Sequence, residues 1–92
     1  MDIKTGGNRF YIGDNEQEAI AEITFKYSEP SVIIINHTFV SPELRGQGIA
    51  GKLLNKVIDM AREKDLTIVP LCSYAARKMI DNPKYEDLLK KE

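Results

Sequence analysis

The chain of 92 residues has a single cysteine, no long apolar run and no marked excess of either charge. One cysteine cannot form a disulfide within the chain, and it is compatible with a reducing compartment. No apolar stretch approaches the roughly 20 residues that a membrane-spanning helix needs. The first four residues, MDIK, carry no apolar signal segment, so we expect a cytoplasmic protein.

Thirteen basic and fourteen acidic side chains nearly cancel, which leaves a net charge of −1. A general binder of nucleic acid or of an anionic membrane surface usually carries a clear basic excess, so we expect neither partner. The chain also lacks repeats, low-complexity tracts and a linker. Residues 1–92 are therefore predicted to form one domain with a modest core that suffices for folding.

The first half of the chain shows the alternation of apolar and polar residues that is typical of strands. After a loose lead-in over residues 1–7, it predicts antiparallel strands over residues 9–13, 19–28 and 31–40. The last of these has four consecutive β-branched residues, as expected of a strand covered on both faces. By simple alternation His37 shares a face with Ile33, Ile35 and Phe39, whereas Thr38 and Val40 lie on the other face.

The second half predicts a helix, a short strand and two further helices. Apolar residues recur at helical spacing over residues 48–64, with polar residues on the opposite side. Residues 67–71 are predicted to form a buried strand, in which Pro70 indicates a bulge, an edge position or splaying from its neighbour. A strand, a helix and a strand in this order imply parallel pairing through a crossover. The last two helices are predicted over residues 72–81 and 84–91.

The stretch from His37 to Gly51, HTFVSPELRGQGIAG, joins the third strand to the main helix. Its three glycines allow the backbone to turn sharply and to approach a ligand closely. The first turn of the helix that follows has N–H groups without internal partners and the positive end of the helix dipole. A strand, a glycine turn and a helix N-terminus together favour an anion site, most often for phosphate.

This turn differs from two common phosphate-binding motifs. No Lys-Ser or Lys-Thr pair follows the glycines, as a P-loop requires, and no acidic residue stands at the place that a dinucleotide-binding fold needs. Before the glycines, Ser41 is predicted to cap a single turn that has Pro42 in its first position. The simpler alternative is a glycine turn that only joins the strand to the helix.

Residues 40–50 resemble the acyl-coenzyme A signature of the GNAT superfamily of N-acetyltransferases, in which Arg/Gln-x-x-Gly-x-Gly/Ala is matched by Arg45, Gly48 and Ala50. The resemblance implies a minimal GNAT-like α/β fold: antiparallel strands, then a β-α-β parallel crossover and C-terminal helices. It also implies that acetyl-coenzyme A binds with its diphosphate on the backbone of the turn and its pantetheine arm along the preceding strand. The implied cofactor-binding residues are Thr38, Phe39, Val40, Arg45, Gly46, Gln47, Gly48, Ile49, Ala50 and Gly51.

Cys72 and His37 are the candidate catalytic residues. Cys72 follows a parallel strand and begins a helix, where ligands of α/β sheets bind and where a thiolate is stabilised over a thiol. An inert buried cysteine is the alternative. Residues 72–75, CSYA, together with His37, Thr38 and Val40, resemble a subgroup of very short GNAT-like proteins whose corresponding cysteine is the proposed acetyl acceptor.

His37 is the only histidine and therefore the natural proton carrier near neutral pH. Our hypothesis is that it deprotonates either the Cys72 thiol or an incoming amine. A histidine hydrogen-bonded within the sheet is the alternative. Around the cofactor, Lys52, Arg77 and Lys78 are candidates for contact with its outer phosphate, and Tyr74 and Tyr85 are candidates for the core or the pocket wall.

The resemblance is incomplete in two places. Longer GNAT enzymes build the acceptor pocket with additional N-terminal helices, and many have a general-acid tyrosine where this chain has Met79 or Ile80. Both differences favour a route through Cys72. We thus predict an acetyl-coenzyme A-dependent N-acetyltransferase, without a metal ion, whose acceptor is an unidentified amine of a small molecule or a protein. A non-catalytic acyl-coenzyme A-binding or regulatory module is the alternative.

Overall fold

The computed structural model describes residues 2–90, in which five strands form one sheet in the order β1-β2-β3-β4-β5. Neighbouring strands are antiparallel as far as β4, and β4 pairs with β5 in parallel. The elements are β1 (Lys4–Gly6), β2 (Arg9–Ile12), β3 (Ala21–Glu29), β4 (Val32–Val40), α1 (Ile49–Glu63), β5 (Thr67–Pro70) and α2 (Ser73–Met79). The predicted order, antiparallel strands followed by a β-α-β parallel unit, is confirmed.

One face of the sheet packs against α1, which contacts β2, β3 and β4. The apolar side of α1 is buried there because its residues recur every three or four positions. On β3 the alternation follows the same logic: Ala21 and Ile23 are fully buried, whereas Glu22 and Thr24 point to the other face. The largest fully buried side chains of this core are Ile23, Ile33, Ile35, Leu53, Val57, Ile68 and Met79.

A β-bulge interrupts β4 at Asn36. Phe25 of β3 pairs with Ile35, but the preceding residue, Thr24, pairs with His37, so Asn36 is one extra residue in β4. The amide oxygen of Asn36 accepts a hydrogen bond from the Thr24 hydroxyl at 2.5 Å. The bulge therefore reverses the face on which every later residue of β4 lies.

This reversal corrects the alternation predicted for β4. Residues directly opposite each other on antiparallel strands share a face, so Thr38, opposite Ile23, lies on the face covered by α1. His37 is opposite Thr24 and lies on the uncovered face, not with Ile33 and Ile35 as the sequence pattern predicts. We call this uncovered side the open face of the sheet.

The two ends of the chain also differ from the prediction. Residues 4–6 of the predicted loose lead-in form β1 and pair with β2; Met1 lies outside the described residues. The helix predicted over residues 84–91 is wrong for residues 84–90, because only Pro83–Tyr85 is helical, as a 3₁₀ turn. Lys91 lies outside the described residues.

The segment after this turn pairs with the outer edge of β5 instead of forming a helix. The Ile68 N–H donates to Leu88 O at 2.7 Å, and the Lys90 N–H donates to Ile68 O at 3.0 Å. The Leu88 side chain is buried. A helix of eight residues is marginal on its own, so burial of Leu88 and pairing of an exposed edge decide the conformation. Among the described residues no helix has the length and apolar character to span a membrane.

Candidate functional site

The strands β4 and β5 separate after Ile35, which leaves a gap at one end of the sheet. Their parallel pairing ends where Ile35 lies opposite Pro70. The N–H groups of Leu71 and Cys72 then both donate to Ile35 O at 3.0 Å, and the chain turns away into α2. β4 continues through residues 36–40 with β3 as its neighbour on one side. β5 is the last strand in the order of the sheet, so the edge position, one of the three alternatives that Pro70 indicates, is confirmed.

Part of the β4 backbone faces this gap. The Ser41 N–H donates to Ile20 O at 2.9 Å, so the backbone groups of Ser41 are directed toward β3. Successive residues of a strand direct their N–H and C=O groups to opposite sides, so those of Thr38 and Val40 are directed into the gap. The Val40 carbonyl accepts from Arg45 Nε at 3.2 Å. The Val40 N–H is directed into the gap as well.

The glycine turn that follows has the conformation that requires glycine. Gly46 and Gly48 have φ values of +84° and +73°, in the left-handed region, and Gly48 is the N-cap of α1. The first helical hydrogen bond joins the Lys52 N–H to Gly48 O at 3.2 Å. The N–H groups of residues 49–51 precede that bond and have no acceptor inside the helix. The turn therefore presents backbone donors at the positive end of α1.

The polar side chains of this turn hydrogen-bond within it. Arg45, which the resemblance places at the phosphates, donates to the Val40 carbonyl, and Gln47 Nε2 donates to Glu43 O at 3.4 Å. Ser41 is at the N-cap of the 3₁₀ turn Pro42–Leu44 as predicted, but its side chain makes no capping hydrogen bond. Its buried hydroxyl is without a partner among the described residues.

An open groove of about 260 Å³ lies between the first turn of α1 and α2. The structure brings together at this groove the predicted cofactor-binding residues Val40, Arg45, Gly46, Gly48, Ile49, Ala50 and Gly51. Thr38, Phe39 and Gln47 do not line it. Leu44, Tyr74 and Lys78 complete its wall. Leu44 was not among the predicted residues. Lys78 and Tyr74 were candidates for the cofactor site and the pocket wall, and their i, i+4 spacing places both on one face of α2.

Tyr74 packs against the first turn of α1. Its hydroxyl oxygen lies 3.6 Å from the position that a Cβ on Gly51 would occupy. The Lys78 ammonium lies 5.9 Å from the centroid of the Tyr74 ring. Burial raises the pKa of Tyr74, and nearby Tyr85 and Cys72 raise it further. The phenol therefore stays neutral and able to donate throughout the physiological pH range.

Cys72 lies at the mouth of the gap, half-buried, as the N-cap of α2. Its sulfur accepts a hydrogen bond from the Ala75 N–H at 3.4 Å. The same sulfur is 3.4 Å from the Thr38 hydroxyl, and either atom can donate in that contact. Thr38, predicted as a cofactor-binding residue, thus lies against the thiol. The bulge at Asn36 makes this contact possible, since it brings Thr38 to the face covered by α1.

His37 lies on the open face of the sheet. Its Nε2 atom is 3.8 Å from Glu22 Oε2, and its side chain is 56% exposed. Since neighbouring residues of a strand point to opposite faces, His37 and the Thr38–Cys72 pair lie on opposite sides of β4. Neither hydrogen-bond contact of the Cys72 sulfur involves His37. In the described part of the chain, no three His, Cys, Asp or Glu residues are grouped to hold a metal ion.

Comparison with known proteins identifies the family. A family model described as GCN5-related N-acetyl-transferase matches residues 9–88. The solution structure of a GCN5-like candidate N-acetyltransferase from Staphylococcus aureus is 44% identical. That alignment covers 99% of this chain and 89% of the other, with a TM-score of 0.81. The comparison with curated proteins gave no match.

Two crystal structures show the same fold at lower identity. A GNAT-family acetyltransferase from Staphylococcus aureus Mu50 is 24% identical over 65% of this chain and 39% of its own, with a TM-score of 0.55. A ribosomal-protein-alanine N-acetyltransferase from Brucella melitensis biovar Abortus 2308 is 20% identical over 91% and 63%, with a TM-score of 0.53. With the family model and the 44% identical relative taken together, the chain belongs to the family of GCN5-related N-acetyltransferases.

Proposed function

We propose that this protein binds acetyl-coenzyme A across the groove and the gap, and transfers the acetyl group to an amine through Cys72. The observation that carries the proposal is the position of the thiol relative to the turn. Val40 lines the groove beside the donors of residues 49–51, and Thr38, two residues earlier on the same face of β4, contacts the Cys72 sulfur; we take these two residues as the path from the turn to the thiol. An extended acyl carrier with a diphosphate at one end and a thioester at the other fits such a path.

The groove has the chemistry that a diphosphate needs. Free backbone N–H groups at a helix N-terminus bind phosphate oxygens, and glycine at positions 46 and 48 lets the ligand approach the backbone. Lys78 adds a positive charge from α2, and the neutral Tyr74 phenol adds a donor. The pantetheine arm would then pair with the backbone of Thr38 and Val40, in the place that a continued β5 would take.

The thiol of Cys72 would act as the nucleophile. Its sulfur attacks the acetyl carbonyl carbon, the bond from that carbon to the coenzyme A sulfur breaks, and the thiol proton goes to the departing sulfur. The Val40 N–H is the nearest backbone donor for the carbonyl oxygen as it gains charge. An amine then attacks acetyl-Cys72, and the cysteine thiol is regenerated. Direct transfer lacks a general acid at residues 79 and 80, since Met79 and Ile80 cannot donate a proton.

Intact-mass measurement after incubation with acetyl-coenzyme A tests this route. We expect the wild type to gain one acetyl group, which neutral hydroxylamine removes, as it does from a thioester. Cys72→Ala should gain none. Cys72→Ser is the matched variant, because a serine hydroxyl can still accept from the Ala75 N–H and so preserves the cap of α2. It should bind coenzyme A like the wild type and form no hydroxylamine-labile adduct.

Other outcomes identify the alternatives. Acetylation of amines by Cys72→Ala at the wild-type rate would contradict the covalent route and show direct transfer. Tight binding of coenzyme A, with neither an adduct nor any acetylated amine, would show a non-catalytic acyl-coenzyme A-binding or regulatory module. No binding of coenzyme A at all would contradict the proposal as a whole.

A further inference from the structure

The part of β4 that borders the gap carries candidate functional side chains on both faces of the sheet. On the covered face, Thr38 and Cys72 lie beside the groove where the acetyl donor would bind. On the open face, His37 projects from the same stretch of β4, and no helix covers it. An acetyl group bound in the gap would then lie between the groove on the covered face and His37 on the open face.

His37 lies at one end of a small network of charges on the open face. Glu22 lies on β3 and approaches His37 Nε2 with one carboxylate oxygen at 3.8 Å. The other oxygen of Glu22 accepts from Arg9 Nη1 at 2.8 Å. Arg9 is in turn 3.6 Å from a carboxylate oxygen of Glu16, through its Nε atom. Only one of these two carboxylates, that of Glu22, contacts the histidine.

The network fixes Glu22 more firmly than an exposed carboxylate. Its side chain is 18% exposed, compared with 34% for Glu16, and Arg9 holds one oxygen. The second oxygen lies 3.8 Å from His37 Nε2, just beyond hydrogen-bond distance. A carboxylate beside a histidine places a negative charge next to the ring and restricts its orientation.

We propose that Glu22 is a positioning residue for His37 in the transfer of the acetyl group to an amine on the open face. This inference rests on the proposed function and adds the side from which the acceptor approaches. The amine nitrogen forms a bond to the acetyl carbon, and the bond from that carbon to the Cys72 sulfur breaks. The proton from the nitrogen goes to the His37 imidazole, and the Glu22 carboxylate balances the charge. The Cys72 sulfur leaves as a thiolate, and the proton taken up by His37 later neutralises this thiolate by way of solvent.

Aminolysis of the purified, acetylated full chain tests this role, with two amines as probes. Ethanolamine is mostly protonated near neutral pH, so a base must remove a proton before its nitrogen can attack the acetyl group. Hydroxylamine is mostly unprotonated, so its reaction rate depends much less on a base. In Glu22→Gln we expect the ethanolamine rate to fall about tenfold and the hydroxylamine rate to change little. The rate at which acetyl-coenzyme A loads the protein should match the wild type. Glu16→Gln is the control, since it also removes a carboxylate from Arg9 but not from His37.

A double variant shows whether Glu22 acts through His37. His37→Gln should slow ethanolamine at least as much as Glu22→Gln, and combining the two should slow it no further than His37→Gln alone. Additive losses would contradict the inference, as would a Glu22→Gln protein that keeps the wild-type ratio of ethanolamine to hydroxylamine rates. Equal losses with both amines would indicate a disturbed fold or altered access and would also overturn it. A wild type that loads no acetyl group contradicts the proposed covalent route itself, which the loading step reveals separately.

Discussion

The two halves of β4, residues 32–35 and residues 36–40, contribute differently to the molecule. Residues 32–35 pair with β3 on one side and β5 on the other, and Ile33 and Ile35 are completely buried. Residues 36–40 keep only the β3 side, and Phe39 among them is 37% exposed. The change occurs at the bulge, opposite the end of β5. A strand that loses one neighbour exposes main-chain donors and acceptors, which a ligand can then use.

The largest difference between the halves should appear in stability. Ile33→Ala removes a completely buried side chain and should lower the free energy of unfolding by about 2–5 kcal/mol. Phe39→Ala, in the second half, removes a larger but partly exposed side chain and should cost about 1 kcal/mol. Urea denaturation followed by circular dichroism measures both. Equal costs would show that residues 36–40 belong to the core as much as residues 32–35 do.

The second prediction compares two glycines of the turn that continues this open half. Gly48→Ala places a side chain at φ +73°, which costs about 1–2 kcal/mol and should misdirect the backbone donors, so the affinity for coenzyme A should fall about tenfold. Gly51→Ala has no such strain, because its Cβ would meet Tyr74 Oη at an ordinary 3.6 Å. It should raise stability by up to about 1 kcal/mol.

Isothermal titration calorimetry with coenzyme A and thermal unfolding of each variant measure these two effects separately. If Gly48→Ala binds coenzyme A as tightly as Gly51→Ala does, the donors of the turn do not hold the ligand. The open half of β4 would then end in a turn that only joins the strand to the helix.

A third prediction concerns the contact that the bulge creates. Thr38→Val keeps the shape of the side chain and removes the hydroxyl from the Cys72 sulfur. We expect acetyl loading to slow several-fold, with a stability loss of about 1 kcal/mol or less, because a net hydrogen bond contributes about that much. Thr38→Ser restores the hydroxyl and should load like the wild type. An intact-mass time course decides, and equal rates in all three proteins would show that Thr38 only fills space.

Most of the fold was predictable because its signals are local. The helical spacing of apolar residues in α1 and the β-branched run in β4 each identify an element without reference to the rest of the chain. The glycines also marked the turn, since Gly46 and Gly48 adopt the conformation that other residues avoid. These local features are enough to predict the central strands, the main helix and the glycine turn that borders the groove.

The remaining features depend on contacts between distant residues. The sequence around Asn36 contains no signal that predicts a bulge. The bulge is defined only by the register between β3 and β4. For the same reason the contacts of His37 with Glu22 and of Thr38 with Cys72 could not be predicted. The residues after position 85 pair with β5 through Leu88 O and Ile68, and this pairing overrides a weak local tendency to form a helix.

The smallest expected effect is a pH dependence of stability that reports how well water hydrates the Tyr74 phenol in the groove. Burial raises the pKa of Tyr74 above its ordinary 10.0, so at alkaline pH the unfolded chain loses this proton before the folded chain does. The stability that the neutral phenol contributes is complete below about pH 10 and is lost as pH rises through the folded-state pKa. From about pH 9 to about pH 11 the Tm of the wild type should therefore fall slightly more steeply than that of Tyr74→Phe. Because Tyr74 is only partly buried, solvent screening keeps the difference small. If Tm falls with pH equally in the wild type and in Tyr74→Phe, the phenol is as well hydrated as in the unfolded chain. The groove beside α1 would then be as open to water as the open face of the sheet.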